Sequence, residues 1–403
     1  MSLPADDLLT DDAFEAGVAR SQSTALLVGG GALGLLLVAG LIWPQAAASS
    51  YLVAYLFWTG ISLGCLGLTL LHHLVGGQWG LPIRRPLEAG AATIFLMAAL
   101  FLPVAFGMSR LYPWTNPELA AELGAKGAYY LNATAFLQRA AFYFALWAAL
   151  AAAANLWSRS QDTAETSAPS RRLHAIAGPS LVALFLTASF AAIDWAMSLE
   201  PRWASTIYGA MVIVGDVLAT MALMILVTVS FLRSRPIHEV ATPSRLADLG
   251  NLLLAFTMLW AYMSFSQFLI IWSGNLAEET PWYLRRTAGG WQWVALLLIV
   301  VHFFLPFFVL LFRDNKRDPR TLRVVAGLVL VMHMIDLTWL VIPAFTGPSG
   351  PAIPWGQLPM ILVAMAGVGG AWLAAFLWWL RRAPLVPLRD PNLLIALQHQ
   401  GGH

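Results

Sequence analysis

The chain carries a single cysteine, Cys65, in 403 residues. That scarcity excludes an internal disulfide and any zinc or iron–sulfur site built from several cysteines. No Cys-x-x-Cys-His stretch is present, so a c-type haem cannot be attached in the usual way. Charge is scarce too. Asp, Glu, Lys and Arg make up 11% of the residues, where a soluble domain carries roughly 25%. The net charge of +2 is spread between apolar stretches and forms no basic patch that points to nucleic acid. The first residues, MSLPADDLLTDDAFEAGVARSQS, are acidic where a secretion signal is basic, and the apolar run after them exceeds a signal core. This predicts a retained first span behind a short tail.

What the chain has instead is apolar surface: 59% hydrophobic residues, 18 Trp and 21 Phe, and a mean hydropathy of +0.69. Aromatic content of this kind suits the two membrane interfaces. A helix crosses the hydrocarbon core with about 20 apolar residues. Ten segments reach that length, centred on residues 24–43, 51–74, 87–108, 135–157, 175–196, 205–232, 247–272, 290–312, 321–344 and 358–380. The alternation that a membrane β-barrel strand shows is missing. The expected architecture is therefore an all-α polytopic membrane protein: a tail over 1–22, a ten-helix domain over 23–382 and a second tail over 383–403.

Orientation follows from the lysines and arginines of the loops. Seventeen of the 23 fall on the side of the N-terminal tail, which predicts that both ends face the cytoplasm. The outer connection 109–134 has the composition of a short interfacial helix, and SRSQDTAETSAPSRR, near 158–172, reads as a flexible linker. No loop is long enough to house a catalytic domain. Spans two and six share glycine spacing and lead into RPLEAGAA and RLADLGNL. The pattern suggests two four-helix units, spans two to five and six to nine, flanked by spans one and ten.

Ionisable groups at membrane depth cost about 2.5–3.5 kcal/mol each on insertion scales and call for a reason. Asp216 lies about 10 residues into span six, roughly 15 Å deep at 1.5 Å per residue. His302 and His333 fall near mid-depth, and Asp336 follows His333 at i+3 on the same helix face. Asp194 lies near the outer end of span five, while His72, His73, Glu88 and Asp248 gather at the cytoplasmic interface. Carboxylates and imidazoles in this order suit a proton route, with an outward exit at Asp194, Glu200 or Glu278. The competing role is helix fastening, in which the same groups pair with one another or with backbone. Axial ligation of a haem b by His302 and His333 is disfavoured by the bulky LIVVHFFLPFF around His302. The stretch AYMSFSQFLIIWSGNLAEETPWYLRR places Tyr262 and Gln267 within a span and Glu278, Glu279, Arg285 and Arg286 just beyond it. These six are candidates for contact with a quinol or with a partner protein.

LLHHLVGGQWGLPIRRPLEA, MSRLYPWTNP, AAIDWAMSLEPRWASTIYGAM, LLLAFTMLWAYMSFSQFLIIWSGNLAEETPWYLRR and VVHFFLPFFVLLFRDNKRDPRTL resemble the ActF-type membrane subunit of alternative complex III. That complex is a bacterial quinol:electron-acceptor (cytochrome c) oxidoreductase, and the wider group is the NrfD/PsrC-like superfamily. The resemblance runs from about residue 70 to 345. It implies two four-helix bundles with two peripheral helices, in the bacterial inner membrane. It also implies an ActC-like membrane subunit, a periplasmic iron–sulfur subunit and c-type haem subunits as partners. Quinol, haem c and iron–sulfur clusters are then expected on those partners, with no redox cofactor on this chain and a proton path within it. Two alternatives remain: a subunit that itself binds quinol, near Asp194 or between Tyr262, Gln267 and Glu278, and a secondary transporter with a midplane site.

Overall fold

The computed structural model describes residues 12–163, 168–346, 352–387, 389, 390 and 393. Among the described residues, ten helices are long and apolar enough to cross a membrane: α1 (Asp12–Ile42), α2 (Pro44–Val75), α3 (Arg84–Phe106), α4 (Ala133–Thr163), α5 (Ala168–Trp195), α6 (Tyr208–Ser230), α7 (Pro243–Gly274), α8 (Trp291–Leu311), α9 (Pro319–Val341) and α10 (Leu358–Leu380). Among the described residues there is no strand. The chain is an all-α polytopic membrane protein.

The helices pack in two rings of four. In the first, α2 contacts α3 and α5, and α4 closes the ring against α3 and α5. In the second, α6 contacts α7 and α9, and α8 closes it in the same way. The first helix of each ring meets the other across the centre, with α2 also against α9 and α6 against α5. The two units thus face each other through equivalent helices, as the repeat suggested. The flanking helices α1 and α10 pack on each other and on α2.

Small residues make the central seam possible. In lipid, helices gain little from apolar burial alone, so close packing over glycine and alanine decides association. A Cβ on Gly60 would lie 2.1 Å from Asp216 Oδ1, and one on Gly64 would lie 2.1 Å from Thr220 Oγ1. Gly60→Ala should therefore destabilise the purified protein by about 1–3 kcal/mol through overpacking. The same change should cost far less when Asp216 is also alanine, because the carboxylate is what the methyl meets. Thermal unfolding of the four members of that cycle checks this, and strict additivity would remove the contact from the argument.

Several boundaries differ from expectation. Helix α1 starts at Asp12, inside the segment expected to be a tail, because Phe14 packs edge-on against Phe231 at 5.0 Å and Val18 is buried. Residues 1–11 and most of the expected second tail, including 394–403, lie outside the described residues. The linker is largely helical as well, since 158–163 belong to α4 and 168–172 to α5, with 164–167 outside the described residues. Ser158 and Gln161 are held there by hydrogen bonds to Arg84 at 2.9 and 2.6 Å. The outer connection does form a short helix, Pro117–Glu122, capped by Asn116, whose side chain accepts from the Glu118 N–H at 2.9 Å.

One irregular turn lies at the site. In α8 the turn around His302 is a π-helix (Leu298–Phe304), in which Leu305 N–H bonds to Val300 O. Pro306 follows; it has no N–H and its ring crowds the preceding turn, so the wider spacing relieves it. Helix α5 carries Pro179 within its length.

Candidate functional site

The buried ionisable groups at the centre come from the second unit and close on α2 of the first. His333 on α9 stands between two carboxylates. Its Nε2 lies 3.3 Å from Asp216 Oδ1, and its Nδ1 lies 3.9 Å from Asp336 Oδ2, beyond a hydrogen bond. Trp260 on α7 donates from Nε1 to Asp336 Oδ2 at 3.0 Å. The Trp260 indole then covers His302, with ring centroids 4.2 Å apart. Phe57 on α2 flanks His333 at 5.7 Å. All of these side chains are buried. The spacing of His333 and Asp336 explains why one helix presents both to the same neighbours. Asp216, His333 and Asp336 thus form one cluster, with the imidazole between the two carboxylates.

Buried polar atoms nearly always have partners, and this region breaks that rule repeatedly. Both ring nitrogens of His302, Nδ1 of His333, Oγ1 of Thr59 and Nε1 of Trp195 have no protein partner. Thr59, Trp195 and Asp216 line one cavity of about 30 Å³ between α2, α5, α6 and α9. A site needs about 10–15 Å³ by this measure to hold a water. The cavity therefore has room for water beside a carboxylate, a hydroxyl and an indole N–H. It continues outward past Ala196 to Tyr208, where α6 begins.

The other sequence-selected groups lie elsewhere. Asp194 is closed off by Arg139, which donates to both carboxylate oxygens at 2.8 and 2.9 Å, and by Tyr143 Oη at 2.9 Å. Glu88 is enclosed by Arg84 at 3.1 Å, Arg85 at 2.7 Å and Ser158. Arg84 also pairs with Asp390, and Arg85 with Asp162. His72 is buried, with Gly80 against its ring and Nε2 3.3 Å from Gly77 O. Asp248 is exposed at the same end of the bundle.

The second half of α7 and the loop after it divide. Tyr262 is 66% exposed on the outer surface of the bundle. Gln267 is buried and accepts from Ser205 Oγ at 2.6 Å, tying α7 to the α5–α6 connection. Glu278 is exposed and Glu279 half-buried. Arg285 and Arg286 do not pair with that acidic couple. Both reach Glu200, at 2.8 Å each, so the pair clasps the α7–α8 loop to the α5–α6 loop. Arg286 is fully buried, lies over the Trp282 ring at 3.8 Å and donates to Leu340 O at 2.6 Å. Burial pushes its guanidinium pKa down, and Glu200 opposes that shift.

The sequence did not single out Trp260, Thr59, Trp195 or Gly60, which complete the central site. A glycine within an apolar span was the available signal for Gly60. The other three are apolar-compatible residues whose role depends on which helix faces which.

The fold and the site together define a ten-span helical membrane protein with a buried acid–imidazole cluster where two four-helix units meet. No family model matches the chain, and no curated protein matches it.

Proposed function

We propose that the chain is the membrane subunit of a respiratory quinol:electron-acceptor oxidoreductase of the alternative complex III type, and that it carries a proton path. The observation that carries the path is the run of partly unpartnered polar groups across the centre: His302, Asp336, His333, Asp216 and then the cavity lined by Thr59 and Trp195. A bonded ion cluster that fastens helices closes off its carboxylates, as Arg139 does for Asp194 and two arginines do for Glu88 here. Groups left 3.3 to 3.9 Å apart beside space for water suit a different task. They can pass a proton when a water enters or a side chain turns.

Assignment to this class of complex rests on the sequence stretches quoted above, together with the two-unit architecture. In this reading Asp216 faces the outer, periplasmic half. Quinol chemistry, haems and iron–sulfur clusters belong to the ActC-like, iron–sulfur and cytochrome subunits in the bacterial inner membrane. A quinol pocket on this chain finds no support at Asp194, whose carboxylate is already saturated, nor at Tyr262, which points outward. Affinity purification from a gentle detergent, followed by native mass spectrometry and a pyridine haemochrome spectrum, tests the assignment. Haem c and an iron–sulfur subunit should co-purify with the chain. Isolation of the chain alone, with solute transport on reconstitution, would overturn it.

A further inference from the structure

A second, larger hollow lies away from the central cluster. It is a groove of about 530 Å³ between α1, α2 and α10, open to the membrane side of the bundle. Arg20, Ser21, Thr24 and Val28 of α1 form one wall, Gly369 and Leu373 of α10 the other, and Trp58 of α2 the floor. The floor is fixed. A Cβ on Gly369 would lie 2.5 Å from the Trp58 ring, and the indole N–H donates to Met365 O at 3.2 Å. The flanking helices touch where a Cβ on Gly370 would lie 2.5 Å from the Gly29 Cα.

The groove has a polar mouth and an apolar body. Arg20 stands at the arginine-rich end of the bundle, exposed, and its guanidinium has no ion-pair or hydrogen-bond partner among the described residues. Arg381 adds positive charge there and donates to Gln22 at 3.3 Å. The hydroxyls of Ser21 and Thr24 donate to backbone carbonyls of α1, which leaves their oxygens as acceptors. From Arg20 to Val28 the helix descends roughly 12 Å, close to the ~15 Å half-thickness of the hydrocarbon core. A hydrocarbon chain fits the body, and an anionic group that offers hydroxyl donors fits the mouth.

We propose that this groove is a specific site for one anionic phospholipid, its phosphate at Arg20 and one acyl chain along Trp58. An arginine near the membrane surface contributes enough to favour an anionic over a zwitterionic lipid about fivefold. Native mass spectrometry of the full chain, titrated with dioleoyl phosphatidylglycerol or dioleoyl phosphatidylcholine, reads this directly. One phosphatidylglycerol should be retained about fivefold more tightly than phosphatidylcholine. Arg20→Gln should erase that preference, whereas Arg171→Gln, an exposed arginine on the same end, should leave it. Val28→Trp should fill the groove and reduce retention of both lipids. Val28 and Arg20 are both exposed, so neither change disturbs the core. Equal retention of the two lipids by the unaltered chain, or an undiminished preference after Arg20→Gln, would overturn the site. So would displacement of the lipid by a menaquinone that binds equally well to the Arg20→Gln protein.

Discussion

Asp216→Asn is expected to leave the protein folded and assembled while reducing proton-coupled turnover by about 10²-fold, within the range removed with a positioned acid or base. The carboxamide has the volume of the carboxylate and fits the same hollow against Gly60. It can still hydrogen-bond to His333, so the seam between α2 and α6 keeps its packing. What it loses is the ability to take up and release a proton between His333 and the cavity. Charge movement per electron in proteoliposomes is the measurement, alongside gel filtration to show intact assembly. Asp336→Asn should give a similar defect, because the two acids flank one imidazole. Asp194→Asn should not affect charge movement in this way, since its partner Arg139 stands outside the route. If charge movement is unchanged in Asp216→Asn, the central cluster is a fastener and the proposed path fails.

Much of this was legible in the chain because a membrane simplifies the problem. Backbone groups in hydrocarbon must be satisfied within the helix, so long apolar runs fix the elements, and loop arginines order their ends. Depth also marked Asp216, His302, His333 and Asp336, since an acid or imidazole is conspicuous among leucines. What depth cannot supply is rotation. Glu88, expected at the cytoplasmic interface, and Asp216, expected deep in its span, are both buried acids. One turns toward two arginines of its own helix and becomes saturated; the other turns toward a glycine and a cavity. Arg286 shows the same limit, because its nearest acids in sequence, Glu278 and Glu279, are not its partners, and Glu200 arrives from another loop. Ser158 and Gln161 looked like linker residues because small polar side chains signal loops. Buried guanidiniums on α3 made them helical.

That same network sets the second large effect. Glu88 sits between Arg84 and Arg85, each also paired to a second carboxylate, and Ser158 donates to it. The three side chains are at most 3% exposed. A buried ion pair adds little over an apolar replacement, but removing one member strands the others. Glu88→Ala leaves two adjacent guanidiniums with one carboxylate each, and should cost about 3–5 kcal/mol. Against a total stability of roughly 5–15 kcal/mol that is a large loss. It should appear as a lowered thermal midpoint in detergent and a lower yield of membrane-inserted protein. Glu88→Gln keeps a carbonyl oxygen for Ser158 and for one arginine, so it should lose less. Replacing Arg84, Arg85 and Glu88 by methionine and leucine, together with Asp162→Asn and Asp390→Asn, should recover part of the loss, because every charge of this network is then removed at once. The contact from Arg84 to Asp390 adds a separate readout. With Glu88 gone Arg84 keeps Asp390, Ser158 and Gln161 but loses its tie within α3, and protease cleavage after residue 382 should quicken relative to the unaltered chain. A combined replacement less stable than Glu88→Ala would mean that the network itself, rather than the stranded charge, holds α3 to α4.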